Sequence, residues 1–275
     1  METRGFKNLM RVLSAMLLVF LYVPLAIIVL YAFNDSVAQA WPIQEFTTKW
    51  FGIAWRSPQV REALANSLEV ATIATLFALA LGSAAAFAVH RFRFFGRNSV
   101  SFLLVLPIAL PGIVTAIALN TTINNFKIPF GILTIVIGHA TFCIVVVYNN
   151  VIARLRRTPT SLIEASMDLG ADGWQTFRYV TFPTIRTAIV AGALLAFALS
   201  FDEIIVTTFT IGQEQTLPIW IFTNCARPNQ LPIVNVVGLL VIILSIIPVY
   251  FANRLSQDPI GAPAGGAAAT AGARG

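Results

Sequence analysis

Between Arg11 and Asp35 the chain reads "VLSAMLLVFLYVPLAIIVLYAFN" without a single charge, and uncharged runs of similar length recur further on. A helix needs about 20 apolar residues to cross a hydrocarbon core of about 30 Å, and the core of a soluble domain could not bury so many such runs. With 57% hydrophobic residues, 11% charged residues and a mean hydropathy of +0.79, the chain is an integral membrane protein.

Apolar runs bounded by charge place spans at about 12–33, 70–89, 100–120 and 130–153, a fifth from near Thr184, and a sixth at about 231–253. The expected fold is an all-α membrane protein with six transmembrane helices. Residues 1–11 form a tail before the first span. The first run exceeds the roughly 7–15 residues of a signal-peptide core, so it is read as a retained span. Residues 256–275 end in "GAPAGGAAATAGARG", which has nothing to bury and is expected to be disordered.

Lys and Arg near span ends are retained on the cytoplasmic side. Arg4, Lys7 and Arg11 precede the first span, Arg91, Arg93 and Arg97 follow the second, Arg154, Arg156, Arg157, Arg178 and Arg186 follow the fourth, and Arg254 ends the sixth. The opposite loops mix Lys49, Arg56, Arg61, Lys127 and Arg227 with Asp35, Glu45, Glu62 and Glu214. Both termini are therefore expected in the cytoplasm. This asymmetry accounts for the net charge of +6 without a nucleic-acid partner.

No catalytic or metal-binding pattern is present: there is no G-x-x-x-x-G-K-[ST] phosphate loop, no G-x-S-x-G elbow and no H-E-x-x-H. Cys143 in the fourth span and Cys225 in an outer loop are not expected to meet. His139 is read as hydrogen-bonded to a neighbouring helix rather than as a proton relay.

The segment 158–183, "TPTSLIEASMDLGADGWQTFRYVTFP", is far longer than a helix connection requires. Thr158 and Pro159 suit the start of a helix, and Ser161 with Glu164 offers an alternative capping box. Gly170 suits a helix stop, and Asp172 with Gln175 repeats the box for a second short helix. On the first helix Leu162, Ala165, Ser166 and Leu169 form a small apolar stripe beside Glu164 and Asp168. A helix this short needs packing to persist, and its acidic polar face suits a protein groove better than a lipid surface.

These residues resemble the membrane subunits of ATP-binding-cassette importers, whose signature is E-A-A, three residues, G, nine residues, I, one residue, L-P. Glu164, Ala165, Ser166, Gly170, Val180, Phe182 and Pro183 keep every spacing, with Ser166, Val180 and Phe182 as conservative departures. The resemblance implies that the first short helix is a coupling helix docked in a cleft of a separate ATPase. Glu164 would meet basic or polar groups there, Ala165 would permit close approach, and Gly170 would supply the bend. ATP would be bound by a dimer of partner subunits, so this chain would need no cofactor. The resemblance covers about 66–255, and "LANSLEVATIATLFALALGSAAAFAV" and "SFDEIIVTTFTIGQEQTLPIW" look like the spermidine and putrescine permease group.

Between Arg186 and Asp202 the fifth span has an uncharged helix of only about 22 Å, so Asp202 or Glu203 is expected beneath the outer headgroups. Gly192, Ala196 and Ser200 repeat every four residues as a seam for close helix packing. Asp202 and Glu203, with Ser200, either border the translocation path of a cationic solute or cap the outer end of the span. Pro107, Pro111 and Gly112 should bend the third span. Trp41, Trp50 and Trp55 rest at the interface or meet a delivery protein.

The resulting expectation is half of an importer pathway, for polyamines, in a bacterial inner membrane. It would work with a second permease, two ATPase chains and an extracytoplasmic solute-binding protein. A permease for another small solute is the nearer alternative. An ion-driven secondary transporter should show inverted repeats or paired intramembrane charges, and would not use the coupling segment.

Overall fold

A computed structural model describes residues 4–256, so the expected C-terminal tail beyond Ser256 lies outside the described residues. Helices α1 (Arg4–Ala32), α2 (Lys49–Arg56), α3 (Pro58–Arg91), α4 (Arg97–Ala109), α5 (Gly112–Asn125) and α6 (Ile132–Arg157) form the first half. The second half contains α7 (Thr160–Asp168), α8 (Gly173–Thr176), α9 (Phe182–Phe201), α10 (Ile205–Thr210), α11 (Leu217–Asn224) and α12 (Leu231–Ser256). A π turn, Phe177–Thr181, joins α8 to α9. Extended pairing among the described residues is limited to an isolated bridge between Asn34 and Phe46.

Among the described residues, five helical stretches are long and apolar enough to cross a bilayer, and α4 with α5 makes a sixth candidate bent by 104°. The bend expected at Pro111 and Gly112 in the third span is present, and is sharp enough to break it into two helices. Leu110 is extended (φ −84°, ψ 148°) before Pro111, as the proline ring demands of its predecessor, whereas Pro107 is accommodated inside α4.

Packing shows that the bent pair still crosses. Val70 and Ala74 of α3 cluster with Ile135 and Val136 of α6, Gly82 meets Ile144 and Val147, and Phe87 and Leu155 border the same small cavity. The two helices thus lie side by side and run in the same direction. A connection between parallel neighbours must return the full length of the bundle, so α4 and α5 together complete the third of six crossings.

Other boundaries move as well. Helix α3 starts at Pro58 rather than near residue 70, and its 34 residues rise about 51 Å, well beyond the hydrocarbon core. Ser57 helps begin it by accepting a hydrogen bond from the Val60 amide. Residues 4–11, read as a tail, are already helical within α1. The fifth span begins at Gly173 rather than near Thr184, because the second short helix continues through the π turn into α9.

Small residues hold the centre together. Ala74, Ala78, Gly82 and Ala86 of α3 are all buried at intervals of four on the face toward α6. Lipid tails are as apolar as the side chains, so close approach and dispersion contacts drive such association. The expected seam on α9 is buried too: a Cβ at Gly192 would lie 3.4 Å from the Val147 Cα, and the Ala196 carbonyl accepts from Cys143 Sγ at 3.4 Å. Cys143 is buried and Cys225 exposed, and both are free.

Candidate functional site: the 158–183 segment and the acidic break at the opposite end

Helix α7 follows α6 after two residues. The expected caps at its start are not made. Thr158 donates its hydroxyl proton to the Arg154 carbonyl (3.1 Å) at the end of α6, and Pro159 occupies the cap position without a side-chain bond. With the helix beginning at Thr160, Ser161 and Glu164 fall out of box register. The stop is made as expected. Gly170 adopts φ +84°, the Ala171 amide donates to the Ser166 carbonyl (3.1 Å) and the Gly170 amide to Met167 (2.9 Å). These two bonds are the Schellman pattern, which satisfies carbonyls that the helix end would leave unpaired.

Asp172 and Gln175 form the second box in full, with the Gln175 amide donating to Asp172 Oδ1 (2.8 Å) and the Asp172 amide to Gln175 Oε1 (3.0 Å). Burial then sorts the faces of α7. Leu162, Glu164, Ala165, Asp168 and Leu169 are exposed, Leu169 at 89%, while Ile163 and Ser166 turn toward the bundle. Ser166 therefore leaves the expected outward stripe. Its hydroxyl lies 2.9 Å from that of buried Thr176 and 2.8 Å from the Ile163 carbonyl, which ties α7 to α8.

From α8 the connection passes into the bundle by two routes. One is covalent: in the π turn the Phe182 amide donates to the Phe177 carbonyl, five residues back, and Pro183 follows at the second position of α9. Proline has no amide for the ordinary ladder and crowds the carbonyl four residues earlier, so a locally wider turn accommodates it. The other route is aromatic. Exposed Trp174 stacks on Phe177 (5.7 Å), which meets Phe87 of α3 edge-on at 5.4 Å and Phe182 at 6.0 Å. The sequence reading missed Trp174 and Phe177, although the aromatic spacing in "GWQTFRYVTF" was available.

At the opposite end, α9 stops at Phe201 and α10 begins at Ile205, so Asp202, Glu203 and Ile204 form a break. Asp202 is exposed. Glu203 is partly buried, and its Oε1 accepts from the Val206 amide (3.0 Å) at the start of α10. Ser200 is buried, with Oγ 2.7 Å from His139 Nδ1, so it faces α6 rather than open space. His139 meets neighbouring elements through both ring nitrogens, in keeping with its expected packing role.

Of the three tryptophans between the first two spans, Trp50 donates Nε1–H to the Asn34 carbonyl (2.9 Å), while Trp41 and Trp55 are exposed. No cluster of metal-ligating side chains occurs among the described residues.

A long-spaced signature built as a helix, a left-handed stop and a capped helix on a six-crossing bundle can be compared with known proteins. Residues 78–259 match the family described as binding-protein-dependent transport system inner membrane component. The chain belongs to this family. It is 32% identical over 241 residues to the spermidine/putrescine transport system permease protein PotC of Escherichia coli (strain K12), covering 87% of this chain and 90% of that one. It is 34% identical over 232 residues to the putrescine transport system permease protein PotI of the same organism, covering 81% and 82%. The fold matches a chain of a bacterial alginate ABC transporter, solved with an alginate pentasaccharide-bound periplasmic protein, at a TM-score of 0.60 and 18% identity over 93% of this chain and 98% of that one. The chain is a multi-pass inner-membrane component of a binding-protein-dependent transport system.

Proposed function

We propose that this permease forms half of the translocation pathway of a polyamine importer and takes its driving force from an ATPase subunit docked on α7. The observation that carries this reading is the build of α7. It exposes Glu164, Ala165 and Leu169 on one side and is fastened to α8 and span five on the other through Ser166, Thr176 and the π turn. A surface peg with that attachment can pass a push from a partner into the bundle.

The basic loops and both ends of the described chain share the side of α7, so the positive-inside bias supports a cytoplasmic position for the peg. The complete transporter comprises a second permease, a pair of ATP-binding-cassette subunits and an extracytoplasmic solute-binding protein. ATP belongs to the cassette subunits, and this chain needs no cofactor of its own. The PotC and PotI likenesses support a polyamine solute. Exposed Asp202 beside Glu203 supplies negative charge suited to a cation on the outer half of the path.

The test uses the complex purified with its partners and reconstituted in vesicles. Glu164→Arg should weaken retention of the cassette subunit and abolish spermidine uptake, and spermidine, but not a neutral sugar, should stimulate ATP hydrolysis. Uptake that persists without the cassette subunit, or stimulation by the sugar alone, overturns the corresponding half of the reading.

A further inference from the structure

The break at the outer end of α9 is pinned from neighbouring helices. His139 of α6 is 1% exposed. Its Nδ1 lies 2.7 Å from Oγ of Ser200 in the last turn of α9, and its Nε2 lies 2.8 Å from Oγ1 of Thr207 in the first turn of α10. Thr207 already donates its one hydroxyl proton to the Glu203 carbonyl at 2.7 Å. It must therefore accept from Nε2–H, and Nδ1 accepts from the Ser200 hydroxyl, an assignment made from the donor inventory. A single imidazole thus bridges both sides of Asp202–Glu203–Ile204 with both nitrogens in use.

The surroundings reinforce this bridge. Thr134 Oγ1 donates to the Thr210 carbonyl at 2.7 Å, and Asn120 of α5 donates to the Phe209 carbonyl at 2.7 Å. At Gly138, beside His139, an added Cβ would stand 2.8 Å from Cγ1 of Val206, so α10 is seated closely on α6. An apolar residue of similar size would fill the space at position 139 equally well. What only the imidazole supplies is direction, because two hydrogen bonds on opposite sides of a break fix the angle between its arms.

We propose that His139 is a positioning residue for the acidic pair: by fixing the last turn of α9 against the first turn of α10, it sets where Asp202 and Glu203 stand along the solute path. This inference rests on the reading of Asp202 and Glu203 as pathway groups. Misplaced acids would let the ATPase cycle run while solute is received poorly. The quantity that reports this is the amount of spermidine delivered per ATP hydrolysed.

The experiment compares that ratio in the reconstituted complex for wild type, His139→Phe, His139→Phe with Ser200→Ala, and Asp202→Asn with Glu203→Gln. Gln at 203 keeps an oxygen for the Val206 amide while removing the charge. Removing both partners of a buried hydrogen bond is nearly neutral for stability, so the Phe/Ala pair should assemble and melt like wild type. Its ratio should nonetheless remain about three- to tenfold low, the range of one or two directional contacts between membrane helices. A role in packing alone would reduce the yield of complex and leave the ratio per complex unchanged, which overturns the inference. If the acid variant keeps the wild-type ratio, the pathway reading fails and this inference with it. If the acid variant falls and the His139 variants do not, only the inference fails. Should His139→Phe prevent assembly, Ser200→Ala alone removes the Nδ1 partner without touching Glu203 and serves the same comparison.

Discussion

Gly82 of α3 touches α6 at backbone level: a Cβ added there would lie 2.8 Å from the Ile144 carbonyl oxygen and 3.1 Å from the Tyr148 amide nitrogen. Backbone atoms cannot swing aside as a side-chain tip can. Gly82→Ala must push the two parallel helices apart, at a cost of about 1–3 kcal/mol. The thermal midpoint of the purified complex should fall. Gly52 in α2 is the control, since no atom lies within 4 Å of its added Cβ. Gly52→Ala should be neutral or raise the midpoint slightly, by up to about 1 kcal/mol of helix propensity.

At Gly170 the constraint is purely conformational. The position has φ +84° and nothing within 4 Å of an added Cβ. Gly170→Ala should cost about 1–2 kcal/mol through left-handed strain, and Gly170→Asn less. Hydrogen exchange at the Ala171 amide should quicken in the Ala variant, because its bond to the Ser166 carbonyl depends on that turn. Equal exchange in wild type and Ala would show that the stop does not need glycine.

Asp172 offers a separate test of the segment. Its carboxylate accepts from the Gln175 amide, and its own amide donates to the Gln175 side chain. Asp172→Ala should release α8 by about 1 kcal/mol, while Asp172→Asn retains most of the cap. The Gln175 amide should exchange faster in the Ala variant alone.

These local features were legible because each is decided within a few residues. Gly170 after an apolar stripe and Asp172 three before Gln175 carry their own geometry, and the run lengths carried the six crossings. The start of α7 was misread because α6 continues to Arg157, which brings Thr158 to the end of one helix instead of the beginning of the next. The Asp202–Ile204 break was hidden for a different reason. It is held by Ser200 and Thr207 against His139, partners 61 and 68 residues away, and no window along the chain contains that information. The parallel course of α3 and α6 is likewise a property of tertiary packing, although the small-residue seam from Ala74 to Ala86 was present to be read.

Phe177 gives the sharpest test of the proposed transmission from α7 to the spans. It stands between Trp174, Phe87 and Phe182, at the first position of the π turn, so its ring is the side-chain link from α8 to α3. Aromatic pairs contribute about 0.5–1.5 kcal/mol beyond their buried area, so Phe177→Ala should loosen this link while leaving the exposed face of α7 intact. The cassette subunit should therefore remain bound with near-normal affinity, but solute-stimulated ATP hydrolysis and uptake should fall together. Phe177→Leu, which fills part of the space without a ring, should fall between wild type and Ala. Loss of cassette binding in Phe177→Ala would mean that the aromatic chain shapes the docking face itself, and full uptake would leave the backbone through the π turn as the sufficient path.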